Sequence, residues 1–190
     1  MLRAGDVFAD YKPADLKNNV VITQAGEKGP AIHKEPGPVI PLAKRLDGLC
    51  AVRVHEAADG MPILPGHVYM APARQHLTLR FACDRYFCQL LDAPPVNRFQ
   101  PSVDVLFRSV VQVAGSSALG ILLTGMGDDG ARCLKEICDG GGETIAQHES
   151  DCIVYGMPRV AVKLGAAQRQ LSLGDIKLFD FIMFLLFLKG

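Results

Sequence analysis

Between Val103 and Ala114 the apolar residues Val103, Leu106, Phe107, Val110, Val111 and Ala114 recur at i, i+3, i+4, i+7, i+8 and i+11. That spacing lays a single apolar stripe along a helix. Pro101 and Ser102 supply its start signal, Asp104 suits the positive first turn, and Gly115 ends it. Beyond it the pattern switches. Ala118–Leu123 is a short apolar run that reads as a buried strand, Ala131–Cys138 as a helix, Glu143–Ala146 as a strand, and Met157 to about Gly165 as a helix. Strands alternating with helices of this length predict βαβ units and a largely parallel sheet.

The amino-terminal part is less regular. Val20–Thr23 is a β-branched run expected to form a strand, and the proline- and glycine-rich stretch Ala25–Pro41 is expected to be loop. Leu42–Leu49 predicts a short helix, Ala51–Glu56 and Val68–Ala71 predict strands, and His76–Phe81 alternates as a hairpin partner does. The expectation is an α/β domain of three layers, doubly wound and Rossmann-like, whose first βα unit is truncated or divergent. It divides into a divergent segment 1–41, a body 42–176 and an apolar tail 177–190. Within the tail, Phe179–Leu188 is interrupted only by Asp180. It is too short to span a bilayer, which takes about 20 residues. It reads as a packed terminal helix, but one apolar on all sides, which is covered, meets a partner subunit or is sticky.

Composition narrows the function. The 190 residues are 49% hydrophobic, enough for a sizeable core, and 20 Lys plus Arg balance 20 Asp plus Glu. That balance offers no basic patch for nucleic acid, and no membrane insertion is expected. Six cysteines are present without a preceding secretory signal, and the pairs Cys83/Cys88 and Cys133/Cys138 are spaced too loosely for the usual zinc sites. Reduced cysteines in a cytoplasmic protein are expected, with no metal or cofactor.

The chemistry concentrates in Leu122-Leu123-Thr124-Gly125-Met126-Gly127-Asp128-Asp129-Gly130-Ala131. Here a strand runs into a turn holding three glycines and two adjacent carboxylates. At the carboxyl end of a strand in an open α/β sheet such a carboxylate is placed for chemistry; in an ordinary turn it caps the helix that follows. A phosphate-binding role for Gly125–Gly130 is disfavoured, since the turn lacks a lysine and two carboxylates repel an anion.

Three further blocks accompany this one: Pro65-Gly66-His67-Val68-Tyr69-Met70-Ala71-Pro72, Pro101-Ser102-Val103-Asp104-Val105-Leu106-Phe107, and Gly140–Glu149 continuing to Cys152–Pro158. In this order and spacing the four resemble the catalytic domain of the chemotaxis protein-glutamate methylesterases (CheB type), over roughly residues 40–176. The resemblance implies hydrolysis of glutamyl methyl esters, and deamidation of glutamines, on methyl-accepting chemotaxis receptors. It also implies a receiver domain, here a separate partner. By resemblance Asp129 is the aspartate of a Ser-His-Asp triad, Asp128 is exposed, and the backbone of Met126 lies on the oxyanion side. His76, Gly125, Gly127 and Gly130 then belong to the substrate pocket. His148 stands where the family has an acidic residue, and His55 and His67 read as structural.

The nucleophile and base are not identified. The family carries its serine in a Gly-Ala-Ser-Thr-Gly-Gly turn and its histidine in a Gln-His-Met motif. Here no serine precedes Ser102, Gln24 stands without the histidine, and His33 has different surroundings. Ser102 and Ser109 belong to the helix, Ser116-Ser117 to the turn after it and Ser150 to a loop, none in a sharp strand-to-helix turn. A non-catalytic receptor-binding relative, or an incomplete fragment of the enzyme, is therefore the alternative. The tail and any sheet edge left by the first βα unit are expected sites of self-association.

Overall fold

A computed structural model describes residues 20–23, 39–50 and 52–180, with side chains over 42–50 and 52–176. The elements run β1 (Val20–Thr23), α1 (Val39–Asp47), β2 (Arg53–Glu56), β3 (His67–Met70), β4 (His76–Ala82), β5 (Arg85–Leu91), α2 (Val103–Ala114), β6 (Leu119–Leu122), α3 (Ala131–Asp139), β7 (Glu143–Gln147), α4 (Met157–Lys163), β8 (Arg169–Leu171) and α5 (Leu173–Asp180). Helix α1 begins at Val39, so it takes in three residues that the sequence pattern assigned to loop. Pro41 is no obstacle, because N–H groups in the first turn have no intrahelical partner to lose.

The fold is α/β with parallel sheets. Strands β1, β3 and β2 form one parallel ladder with β3 central, and β6, β7 and β8 form a second with β7 central. In the second ladder α3 and α4 are the crossovers between neighbouring parallel strands, the arrangement that alternating strand and helix patterns predict. Between the ladders in sequence lies the antiparallel hairpin β4–β5, in which Ala82 opposes Arg85. Its two-residue loop, Cys83-Asp84, holds both residues at positive φ (49° and 55°). Two positive φ values are what a tight hairpin turn requires, but the usual Asn-Gly or Asp-Gly signal is missing. That is why β5 has no clear signature in the sequence.

The apolar stripe of α2 packs Leu106, Phe107 and Val110 into a core with Leu77, Leu79, Leu134 and Ile137. Ser109 is on the same face. Its hydroxyl donates to Leu106 O and accepts from Leu79 N, which ties α2 to β4. Strand β8 (Arg-Gln-Leu) and helix α5 were not legible from periodicity. Ile176 of α5 is nevertheless buried against Leu119 and Ile145, and Ser172 accepts from Asp175 N at the helix start. Residues 181–190 of the apolar tail and most of segment 1–41 lie outside the described residues. Among those described, no helix is long and apolar enough to cross a membrane.

Candidate active site

Strand β6 delivers the chain to a turn, Thr124–Gly130, from which α3 departs. Asp129 at its end is buried (2% exposed). It does not cap its own helix: the residue preceding α3 is Gly130, and no side chain caps there. Instead the Asp129 carboxylate reaches across to the start of α2. Its Oδ2 accepts from Val103 N (2.7 Å); its Oδ1 accepts from Ser102 Oγ (2.7 Å), Asn97 Nδ2 (3.2 Å) and, more weakly, Asp104 N (3.4 Å). Asp104, in the first turn of α2, reciprocates by accepting from Cys133 N near the start of α3 through Oδ1 (3.1 Å). Each helix thus supplies the carboxylate that satisfies the other's orphan amides, with the favourable charge at each positive helix end.

Asn97 ties the two carboxylates together, since its amide nitrogen also donates to Asp104 Oδ2 (2.7 Å). Its backbone lies in the left-handed region (φ 53°), where asparagine is tolerated better than most residues. Gly130 is required for two reasons. Its φ is +84°, and a Cβ there would sit 2.5 Å from Val103 Cγ1. The close approach of the turn to α2 therefore depends on that residue having no side chain.

His76 belongs to the same network. It is buried, its Nδ1 accepts from Ser102 N (3.1 Å), and its Nε2 lies 3.1 Å from Pro94 O. An acceptor at Nδ1 fixes the proton on Nε2, which donates to the Pro94 carbonyl. Both ring nitrogens are occupied, one residue removed from Asp129 through Ser102. Ser102 is fully buried and its hydroxyl is committed to Asp129.

The rest of the turn is open. Met126, Gly127 and Asp128 are exposed, while Gly125 is half-buried against Met157. The N–H groups of Met126 and Gly127 donate to no acceptor among the described residues. The thiol nearest the helix junction, Cys133, is held protonated. Burial pushes its pKa up, and the Asp104 carboxylate pushes it the same way. Burial likewise pushes Cys88 up to about 12. Thiols of this kind are poor nucleophiles. Elsewhere, His148 is exposed and shares a hydrogen bond with Ser150 (2.8 Å). His55 and His67 bond to each other (2.9 Å) and stack beside Tyr69, well separated in sequence from the turn. Among the described residues no three His, Cys, Asp or Glu side chains converge as a metal site would require.

Three contributors to this geometry carried no sequence signal for their roles: Asn97, the Ser102 hydroxyl, and Gln147, whose buried amide holds the turn from β7. Most of their partners lie 23–32 residues away in the chain; Asp104 is seven residues from Asn97, and Asp151 four from Gln147.

The family model for CheB methylesterase matches residues 6–179, which takes in most of the amino-terminal segment as well as the body. A protein-glutamate methylesterase/protein-glutamine glutaminase of Dechloromonas aromatica (strain RCB) is 46% identical over 164 residues, covering 86% of this chain and 43% of that protein. One from Paraburkholderia xenovorans (strain LB400) is 51% identical over 146 residues, covering 77% and 40%. The chain thus spans less than half the length of these curated relatives. The crystal structure of the Thermotoga maritima CheB methylesterase catalytic domain superposes with a TM-score of 0.82 at 29% identity, covering 93% of this chain and 89% of that one. By sequence and by fold, this chain belongs to the CheB methylesterase family.

Proposed function

We propose that the chain is the esterase part of a chemotaxis protein-glutamate methylesterase, acting on glutamyl methyl esters, and on certain glutamines, of methyl-accepting chemotaxis receptors. Residues 42–176 form its body, and a cytoplasmic location follows from that substrate. A receiver domain is its expected regulatory partner. In this reading Asp129 is the aspartate that orients a histidine base, and the Met126 backbone lies on the oxyanion side. Gly125, Gly127, Gly130 and His76 shape the pocket.

The observation that carries the reading is the uneven loading of the Asp129 carboxylate. Among the described residues Oδ1 takes three donors and Oδ2 only one. A carboxylate held rigid from one side, with acceptor capacity left on the other, is suited to fix the tautomer of an imidazole and stabilise its charged form. The N–H groups of Met126 and Gly127, without an acceptor among the described residues, suit a developing oxyanion.

A second reading, receptor binding without turnover, is favoured by the serines. Ser102 and Ser109 are buried and bonded within the fold, and no other serine lies on the turn that carries Asp129. Self-association through the tail or a sheet edge would be compatible with either. Methanol release from a methylated chemoreceptor separates the two readings. The esterase reading expects release by the purified chain and a fall of roughly 10³–10⁴-fold in Asp129→Asn, which retains an acceptor oxygen but orients the base wrongly. Folded protein that binds the receptor and releases no methanol would establish the second reading in its place.

A further inference from the structure

The turn that carries the amides of Met126 and Gly127 is held by a clamp whose centre is Gln147. This side chain is fully buried at the carboxyl end of β7, beside the end of β6. Its Oε1 accepts from Thr124 N (2.7 Å), and its Nε2 donates to Asp151 O (2.9 Å). One amide therefore joins the first residues of the turn to the loop that follows β7. Thr124 repeats the connection one step along: its hydroxyl accepts from Val154 N (2.9 Å) and donates to Val154 O (3.1 Å).

Gly125 closes the clamp. Its N–H donates to Val154 O (3.1 Å), and its carbonyl accepts from Met157 N (2.9 Å) at the start of α4. The two segments touch so closely at Gly156 that a Cβ there would lie 2.5 Å from Gly125 O and 3.1 Å from Gly127 N. Every backbone polar group of Gly125 is thus committed, and the next two N–H groups, which meet no acceptor among the described residues, are aimed by what precedes them.

We infer that Gln147 is a positioning residue for the oxyanion side of this site: by fixing Thr124 and Gly125 against residues 151–157, it sets the direction of the Met126 and Gly127 N–H groups. The inference rests on the esterase reading for its catalytic consequence, though not for the clamp itself. Oxyanion donors act only when they are aimed at the position the charged oxygen will take. A displacement of about 1 Å costs on the order of a hundredfold in rate. A buried amide that bridges two strand ends is well suited to prevent it.

The test compares the wild-type chain with Gln147→Met, which preserves volume and removes both hydrogen bonds, and with Thr124→Val, which cuts the second connection at a less buried position. Hydrogen exchange is followed at the amides of Thr124, Gly125 and Val154, with Val103 and Cys133 as reporters of the intact helix junction. Methanol release gives kcat and KM separately. The expected result is faster exchange at Gly125 and Val154 in both variants and unchanged protection at Val103 and Cys133. Alongside it, kcat should fall roughly tenfold to a hundredfold with KM within about twofold. Gln147→Glu, which keeps an acceptor for Thr124 N, should recover part of the kcat.

Unchanged exchange at Gly125 and Val154 would overturn the clamp. Faster exchange with unaltered kcat per folded molecule would overturn the positioning role. If the wild-type chain releases no methanol, the esterase reading fails on that result alone, while the exchange data still decide whether Gln147 holds the turn.

Discussion

Two polar clusters of this protein are built on opposite principles. At the α2–α3 junction two carboxylates, Asp129 and Asp104, lie buried within reach of one asparagine, and each is met by backbone amides at a helix start. On the β2–β3 ladder two half-buried imidazoles, His55 and His67, meet each other. The first cluster joins negative groups to positive helix ends, so like charges are kept apart by donors. The second joins two groups of the same kind, which bond only while one of them stays an acceptor. The contrast teaches that burial of polar groups is sustained by what answers them: the carboxylate junction is a structural joint, whereas the histidine pair is an accessory to a strand pairing that apolar residues already hold.

The strongest way to break this comparison is to remove the carboxylate that most donors share. Asp129→Ala leaves the Val103 N–H and the Ser102 hydroxyl without their partner in a buried position. An unsatisfied buried donor costs about 1–3 kcal/mol, so a loss of about 2–6 kcal/mol is expected for the pair. Urea unfolding checks it, with His55→Gln expected to cost less than about 1 kcal/mol by the same method. Comparable losses at the two sites would mean the clusters are not different in kind.

A finer cut asks whether the two carboxylates act as one unit. Asn97→Gly removes the bridging amide without straining a left-handed backbone, and Asp104→Ala removes one of its acceptors together with the cap on Cys133 N. Residues in one hydrogen-bond network couple by about 0.5–3 kcal/mol, and a double-mutant cycle in urea should find a coupling of about 1 kcal/mol. Strict additivity would make Asn97 a bystander held near the carboxylates by its loop.

How much of this was legible in the sequence depends on the distance between cause and partner. Helix α2, the run β6–α3–β7 and the start of α4 were readable because their apolar spacing is local. Asp129 stood out through its motif, yet its actual partners did not: the expectation for a carboxylate before a helix is a cap on that helix, and here it caps the other. Nothing local distinguishes the two, because Val103 is brought to it only by the packing of α2 on α3. Gln147 fell just past the strand expected over Glu143–Ala146, and its role exists only once β6 lies beside β7. The hairpin partner β5 was obscured by Cys83-Asp84, a turn whose residue types do not announce positive φ. Strand β8, with two polar residues in three, has no apolar pattern of its own and is defined by β7.

The smallest effect, and the most specific to the histidine pair, is in pH. The His67 pKa is lowered, first by burial, then by the nearby His55 and Arg53, with Asp47 opposing them. Tyr69 stacks beside the pair and carries no charge near neutrality. A lowered folded-state value means that, between it and the ordinary 6.5 of the unfolded chain, the unfolded state binds more protons. Stability then rises with pH across that window: the contribution of His67 is present above 6.5 and lost as pH falls through the folded value. Thermal unfolding between pH 8 and 5 should therefore show wild-type Tm falling more steeply below 6.5 than that of His67→Gln, with the two curves parallel above it. A His67→Gln curve parallel to wild type throughout would show that the pairing is a packing contact alone.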